Sequence, residues 1–264
     1  MRPKLIATDL DGTFIGRDLE VSDRNRRAVE LAHEAGVHFV MATGRMYRAT
    51  LPYALACGVK TPLITYQGAL IRDPQDGVDL WHRTISMPLA FEAIAALRES
   101  GFHLNLYVDD ELIVERLSPE AELYSSVSRV VPRVVSSFEE ALTTEPTKIV
   151  AIAEAEAVQK WVPTLRERFG EQLYVTESIP IFLEIANPTI RKSVALQHVA
   201  ERLGVSREEI VAFGDGMNDL DMLEYAGLGV AMGNAPDAVK AVADRVTHHV
   251  REDGVARVIE ELLS

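Results

Sequence analysis

The chain has 264 residues, of which 47% are hydrophobic and 25% charged, a composition typical of a globular protein with one large domain or two modest ones. Its formal net charge of −13 at pH 7 argues against nucleic acid or an anionic membrane as a partner, because a negative surface repels both. A small phosphorylated ligand is compatible with this charge where a metal cation or local positive charge offsets the repulsion.

The single cysteine, Cys57, excludes an intrachain disulfide or a cysteine zinc site and is typical of a small, buried hydrophobic residue. The N-terminal sequence MRPKLIATDLDG carries charges where a signal peptide has its apolar segment. No stretch of the sequence approaches the ~18 apolar residues of a membrane span. We therefore expect a cytoplasmic protein.

The first third of the chain alternates short apolar segments with helical patterns. Strands are predicted at KLIATDL, VHFVMAT and TPLITYQGALI, and helices at SDRNRRAVELAHEAG and MYRATLPYALACG. Ser22 is the predicted N-cap of the first helix and Gly36 its end. Near-continuous Val, Ile, Leu and Ala runs favour strands that are covered on both faces. Their alternation with helices predicts a parallel, doubly wound sheet.

The middle of the chain, from about Thr84 to Ala186, has a different pattern. The runs HLNLYV and ELIVERL, joined by an acidic turn at Asp109 and Asp110, predict an antiparallel α+β unit. The last third returns to alternation, with helices at KSVALQHVAERLG and NDLDMLEYAG, strands at EEIVAFG and LGVAMG, and closing helices at AVKAVAD and DGVARVIEELL. We therefore predict an α/β core in residues 1–83 and 187–264, interrupted by an inserted α+β domain in residues 84–186.

Polar residues follow several predicted strands at the point where each strand ends, which is where open α/β sheets bind ligands. The residues collected in this way are Asp9, Asp11, Thr43, Gly44, Asp215, Asn218 and Asp219, with Lys192 at the start of a helix. Each has an ordinary alternative: an Asp-Gly turn, a helix cap at Thr43, a solvated Lys192 and a simple GDGMND turn. One functional interpretation explains them together.

That interpretation is magnesium-assisted transfer of a phosphoryl group to a carboxylate. Mg²⁺ takes carboxylate oxygens, and Asp9 and Asp215 can supply them. A hydroxyl from Thr43, an amide from Gly44 and the ammonium of Lys192 can hold phosphate oxygens. Asp11 can protonate the leaving oxygen and later deprotonate water. A P-loop motif and a G-x-G-x-x-G fingerprint are both absent from the sequence.

Four motifs in order, namely DLDGT, ATGR, a lysine at position 192 and GDGMND, resemble those of the haloacid dehalogenase-like hydrolase superfamily. The phrases FGDGMNDLDML and AMGNAPDAVKAVAD resemble its Cof-type subfamily, whose large α+β cap of the C2 type lies between the second and third motifs. This resemblance covers essentially the whole chain. It implies a Rossmann-like core under a mobile cap, and a Mg²⁺-dependent phosphatase acting on small phosphorylated metabolites.

The resemblance also implies a role for each matched residue. Asp9 would be the nucleophile and Asp11 the acid/base. The metal would be bound by Asp9, the backbone carbonyl of Asp11 and Asp215, with Asp219 supporting this site from outside the ligand set. The phosphate would be held by Thr43, Gly44, Lys192 and Asn218.

Two positions depart from the subfamily pattern. Ser193 follows the motif lysine where glycine is usual, and Gln67 precedes a glycine where asparagine is usual. Neither departure removes a residue with a direct chemical task, but we expect Gln67 to alter the lining of the site near the hinge.

Three other functions share parts of the pattern. A phosphosugar mutase has the same core motifs. A phosphate-binding regulatory module without turnover has no need of Asp11 as a leaving-group acid, and a dehalogenase needs neither that acid nor a metal.

The substrate stays open among sugar phosphates, phosphorylated cofactors such as pyridoxal phosphate or flavin mononucleotide, and phosphorylated acids. The oligomeric state is also open.

Overall fold

The computed structural model describes residues 2–264, apart from the side chains of residues 127, 178 and 179. These residues form two compact units, one built from the chain up to Trp81 together with Arg191–Ser264, the other from His82–Ile190. The predicted boundaries, after residues 83 and 186, lie two and four residues from these limits. That the inserted unit acts as a cap stays a prediction.

The chain begins with β1 (Leu5–Thr8), α1 (Asp23–Glu34), β2 (His38–Met41), α2 (Tyr47–Ala56), β3 (Leu63–Thr65), β4 (Leu70–Arg72) and β5 (Asp79–His82). The inserted unit contains α3 (Met87–Ser100), β6 (His103–Val108), β7 (Glu111–Val114), α4 (Pro119–Ser128), β8 (Arg133–Val134), α5 (Phe138–Ala141), β9 (Lys148–Ile152), α6 (Ala155–Phe169), β10 (Tyr174–Ile179) and β11 (Phe182–Ala186). The chain closes with α7 (Lys192–Leu203), β12 (Ile210–Gly214), α8 (Leu220–Tyr225), β13 (Leu228–Ala231), α9 (Asp237–Lys240), β14 (Arg245–Val246) and α10 (Gly254–Leu263).

The first unit is built on a parallel sheet in the order β14-β13-β12-β1-β2. Strands β1 and β12 are buried along their whole length, as expected for parallel strands with helices on both faces. The prediction of an α/β fold with a parallel-sheet core is confirmed.

Helix α1 begins where the sequence predicts. The Ser22 hydroxyl accepts a hydrogen bond from the Asn25 N–H at 3.0 Å, which satisfies one of the donors left over at a helix start. Gly36, just beyond the helix, has a φ of +74°. Its position agrees with the predicted stop, since glycine adopts this backbone region without strain.

The prediction of one continuous strand at TPLITYQGALI is wrong. The segment forms β3, a 3₁₀ turn at Tyr66–Gly68 and β4, which pairs antiparallel with β3. The turn has positive φ at three successive residues, 52° at Tyr66, 58° at Gln67 and 96° at Gly68. Positive φ is rare for residues with a side chain, so the apolar composition alone does not predict this reversal.

The inserted unit is built on a sheet in the order β10-β11-β9-β6-β7-β8. Its strand pairs are antiparallel except for β7 with β8. The predicted acidic turn joins β6 and β7, with positive φ at both Asp109 and Asp110, as in the primed turns that suit hairpins. Helix α4 was not predicted, although Ser118 caps it and Pro119 opens it, both standard helix-start signals.

A separate apolar core supports the inserted sheet. One face of the sheet buries Leu106, Ile149 and Ile185 against residues of α3 and α6 such as Leu97 and Leu165. The alternate residues of the same strands include Asn105 and Lys148, so this face is apolar and the other is partly polar. Among the described residues, no helix combines the length and the apolar character needed to cross a membrane.

Candidate active site

The carboxyl ends of three neighbouring strands bring the predicted site residues together. Strand β1 lies between β2 and β12, and the Asp9 N–H donates to the Phe213 carbonyl at 3.0 Å. The chain segments that follow β1, β2 and β12 therefore begin at one edge of the sheet. They carry Asp9, Thr43 and Asp215.

Lys192 is the first residue of α7, and its side chain is fully buried. Its ammonium donates to Asp9 Oδ1 at 2.7 Å and to Asp219 Oδ1 at 2.6 Å. The solvated lysine considered as an alternative is therefore wrong. A buried ammonium requires such partners, because an isolated charge is costly to bury.

Asp219 closes the loop that follows β12. Its second oxygen, Oδ2, accepts hydrogen bonds from the N–H groups of Asp215 at 3.0 Å and Gly216 at 2.9 Å. Both carboxylate oxygens of Asp219 are thus used by protein donors. This residue fixes the loop and the position of Lys192.

Asp215 is held by residues from two distant segments. Thr13 Oγ1 donates to Asp215 Oδ1 at 2.8 Å, and Asn234 Nδ2 donates to Asp215 Oδ2 at 3.1 Å. Asn234 Nδ2 also donates to the Gly12 carbonyl at 2.8 Å. Gly12 has a φ of +81°, and a Cβ atom there would lie 2.3 Å from Asp215 Oδ2. Only glycine fits this close approach.

Burial dominates the electrostatics of the site. It raises the pKa of Asp215 to about 6, an effect that the Thr13 hydrogen bond reduces and the Asp219 carboxylate increases. Burial likewise raises the pKa of Asp9, although the Lys192 ammonium acts in the opposite direction. Burial lowers the pKa of Lys192, but Asp219 and Asp9 more than reverse this, so the net shift is upward.

The same three carboxylates could hold a metal ion. One oxygen each from Asp9, Asp215 and Asp219 lies within 4.8 Å of the others. With all three carboxylates ionised, the single ammonium would leave two negative charges uncompensated, which a divalent cation would balance. Asp9 Oδ2 accepts no hydrogen bond from the described residues, whereas Asp219 has used both oxygens. The donor set therefore fits a hard cation such as Mg²⁺.

Asp11 lies apart from this buried cluster. Its side chain is about half exposed, at 49%, and both oxygens accept from Arg45, Oδ2 from Nε and Oδ1 from Nη2, each at 2.6 Å. Such a bidentate pair fixes the plane of the carboxylate. Thr43 is buried, and its hydroxyl accepts from the Arg45 N–H at 3.2 Å. Helix α2 starts only at Tyr47, so Thr43 is not its cap.

Gly44 and Asn218 are the last two of the predicted site residues, and both lie next to the side chain of Gln67. Asn218 Nδ2 donates to Gln67 Oε1 at 3.0 Å. A Cβ atom on Gly44 would lie 2.5 Å from Gln67 Nε2, so the glutamine amide covers this glycine.

Ser193 has a structural role. Its N–H and its hydroxyl both donate to Asp221 Oδ2, at 2.9 and 2.6 Å. Asp221 lies in α8 and accepts from the first turn of α7, where negative charge is favourable. Ser193 therefore links α7, which begins with Lys192, to α8, which directly follows Asp219.

Three residues at the site were missed by the sequence analysis: Thr13, Arg45 and Asn234. Each lies within one of the motif segments DLDGT, ATGR and AMGNAPD. Their side-chain partners are far away in the sequence, which motif spacing does not reveal.

A parallel sheet with buried carboxylates and a buried lysine at its carboxyl edge defines an α/β enzyme with an acidic active site. The model of the haloacid dehalogenase-like hydrolases matches residues 6–259, and the chain belongs to this family.

Its relatives span almost the same length. The chain is 33% identical over 272 residues to a 5-amino-6-(5-phospho-D-ribitylamino)uracil phosphatase of Bacillus subtilis, covering 100% of this chain and 98% of the relative. It is 31% identical to a pyridoxal phosphate phosphatase of Escherichia coli, covering 98% of each. A haloacid dehalogenase-like hydrolase of Bacteroides thetaiotaomicron has a similar crystal structure, with a TM-score of 0.93, 30% identity and coverage of 98% and 99%.

Proposed function

We propose that the protein is a Mg²⁺-dependent phosphatase that hydrolyses small phosphorylated metabolites, either sugar phosphates or phosphorylated cofactors, through an aspartyl-phosphate on Asp9. Membership of the family and the phosphatases among its relatives support the reaction class. The observation that carries the proposal is the buried Lys192 between Asp9 and Asp219, beside Asp215.

The metal would be held by Asp9, the backbone carbonyl of Asp11 and Asp215. Mg²⁺ usually binds one or two carboxylates and keeps its other positions for water and substrate phosphate. When bound, the cation would supply positive charge that offsets the repulsion between the carboxylates and an incoming phosphate. Asp219 would stay outside the ligand set, since its oxygens already accept from Lys192 and the backbone.

Four groups would hold the phosphate oxygens: the Thr43 hydroxyl, the Gly44 N–H, the Lys192 ammonium and the Asn218 amide. An ammonium carries three N–H donors, and in Lys192 two of them go to Asp9 and Asp219. The third N–H is left for a phosphate oxygen. Lys192 would thus orient the nucleophile and contact the transferred group at once.

Asp9 and Asp11 would carry out the chemistry in two steps. A free oxygen of Asp9 attacks phosphorus as the ester P–O bond breaks, and Asp11 gives a proton to the departing oxygen. Asp11 then takes a proton from water, whose oxygen attacks the aspartyl-phosphate and releases phosphate and Asp9. Both oxygens of Asp11 accept from Arg45 in this structure, so Asp11 would have to exchange at least one of these bonds to reach the leaving group.

The test is phosphate release from a panel of small phosphomonoesters, with Mg²⁺ and with EDTA, for the wild type and Asp9→Asn. We expect release that requires Mg²⁺ and falls at least about a thousandfold in the variant, because the nucleophile is lost. Circular dichroism would verify that Asp9→Asn is folded. A folded variant with a near wild-type rate would refute Asp9 as the nucleophile, and conversion of a phosphosugar without free phosphate would point to a mutase.

A further inference from the structure

The backbone of the turn at Tyr66–Gly68 contacts two of the three segments proposed to hold phosphate, which are residues 43–45 and the start of α7. The Gln67 N–H donates to the Thr43 carbonyl at 3.0 Å, and the Tyr66 N–H donates to the Arg45 carbonyl at 2.9 Å. A Cβ atom on Gly68 would lie 2.4 Å from the Arg191 carbonyl, next to Lys192. The turn therefore fixes the backbone around Thr43 and lies against the start of α7.

The Gln67 side chain adds a contact to the remaining segment. Gln67 is half-buried, whereas Asn218 is exposed and would otherwise sample several rotamers. The bond of 3.0 Å from Asn218 Nδ2 to Gln67 Oε1 restrains the Asn218 amide. In this contact the Asn218 nitrogen donates and the Gln67 oxygen accepts.

We propose that Gln67 is a positioning residue of the phosphate pocket, which orients Asn218 and covers Gly44. One N–H of the Asn218 amide goes to Gln67, and the second is left for a phosphate oxygen. The Gln67 amide lies where a side chain on residue 44 would be, so it closes that side of Gly44. This inference rests on the proposed function, because it assigns a task within the same pocket.

The length of the side chain is what matters in this arrangement. Asparagine is one methylene shorter than glutamine. It also suits a φ of +58° better, since asparagine is enriched in the left-handed region. Gln67→Asn should therefore relax the backbone while losing the contact to Asn218, and stability and phosphate binding should move in opposite directions.

The experiment compares the wild type with Gln67→Met and Gln67→Asn, using inorganic phosphate as the probe in the presence of Mg²⁺. Methionine keeps the length of glutamine but cannot accept from Asn218. We expect the dissociation constant for phosphate, and KM for phosphomonoesters, to rise about fivefold to tenfold in both variants, the equivalent of one hydrogen bond. The melting temperature of Gln67→Asn should equal or exceed that of the wild type.

Two further measurements separate positioning from other roles. In an Asn218→Ala background, Gln67→Met should have little additional effect, because the two residues act through one contact. The loss in kcat/KM should also be the same for two esters with unlike leaving groups, such as p-nitrophenyl phosphate and a sugar phosphate.

The outcomes distinguish this inference from the proposed function. Unchanged phosphate affinity in Gln67→Met, additive effects in the double variant, or a loss confined to one ester would overturn the role of Gln67 while leaving the phosphatase intact. A wild type that neither binds phosphate with Mg²⁺ nor releases it from any ester would overturn both.

Discussion

Asp215 carries a carboxylate whose burial raises its pKa to about 6, so at neutral pH the fold holds an ionised group in an unfavourable place. A bound cation would remove much of that cost. We predict that Mg²⁺ raises the melting temperature of the wild type, and that Asp215→Asn abolishes this shift. At a concentration one hundred times its dissociation constant, a ligand stabilises the folded state by about 2.7 kcal/mol.

The matched control is Asp23→Asn, at the start of α1, where the side chain is 79% exposed. This variant should keep the full response to Mg²⁺, and sodium chloride at equal ionic strength should produce none. The metal-free Asp215→Asn protein should be at least as stable as the metal-free wild type, because the amide carries no charge to bury. An Mg²⁺ shift that persists in Asp215→Asn would place the cation elsewhere.

For single residues, the sequence motifs predicted which residues share the site better than they predicted which side chains bind to one another. Asp9, Lys192 and Asp219 were expected to share a site, and the structure brings them into direct contact. Arg45 and Asn234 were missed. Asn234 lies 222 positions from Gly12, to which it donates, and a pairing over that distance is created by the sheet order, which a local pattern does not contain.

Strands β9 and β11 of the inserted unit share a buried ion pair. Lys148 Nζ lies 3.2 Å from Glu184 Oε2, and the two residues are only 5% and 9% exposed. The ammonium also lies 5.1 Å from the centre of the Tyr107 ring. We predict that Glu184→Gln lowers the free energy of unfolding of this unit by about 3 kcal/mol, because it leaves a buried charge without its carboxylate.

Urea unfolding of three variants would check this prediction. Glu111→Gln is the control, since its partner Arg133 and Glu111 itself are 52% and 41% exposed, and an exposed pair contributes at most about 1 kcal/mol. Replacing both partners, as Lys148→Met with Glu184→Leu, should recover most of the loss. A cost for Glu184→Gln no larger than that for Glu111→Gln would contradict the prediction.

The elements themselves were predicted unevenly. Helix α1 and strand β1 carry their own signals, in the Ser22 cap and in a continuous apolar run. The reversal between β3 and β4 has no such signal in the sequence. It depends on positive φ at Tyr66 and Gln67, and residues with a side chain rarely adopt positive φ. Tertiary contacts hold this backbone, including the hydrogen bonds to the carbonyls of Thr43 and Arg45.

Each of the two units contains an apolar core of its own. One is confined to the inserted unit and includes Leu165, and the other lies in the first unit and includes Ile210. We predict that thermal unfolding departs from a single two-state transition. Leu165→Ala, which removes a fully buried side chain, should lower the transition temperature of the inserted unit, at a cost of about 2–5 kcal/mol in its free energy of unfolding. Mg²⁺ should raise the transition temperature of the first unit.

Calorimetry can test this directly, by comparing the measured enthalpy of unfolding with the van't Hoff value. The two perturbations should be separable, each acting on its own part of the heat-capacity curve. One sharp transition that Leu165→Ala and Mg²⁺ both shift as a whole would show that the units unfold together.

The insertion also sets the order in which the site can be made on the ribosome. Lys192 is translated 183 residues after Asp9, a delay of roughly ten to forty seconds at ordinary rates of synthesis. During that interval the nascent chain contains Asp9 and Asp11 but not yet Lys192. The inserted unit is also complete before strands β12, β13 and β14 of the first unit have been made. A chain that stops after the inserted unit lacks Lys192, and we therefore expect it to be inactive, whatever that unit has folded into.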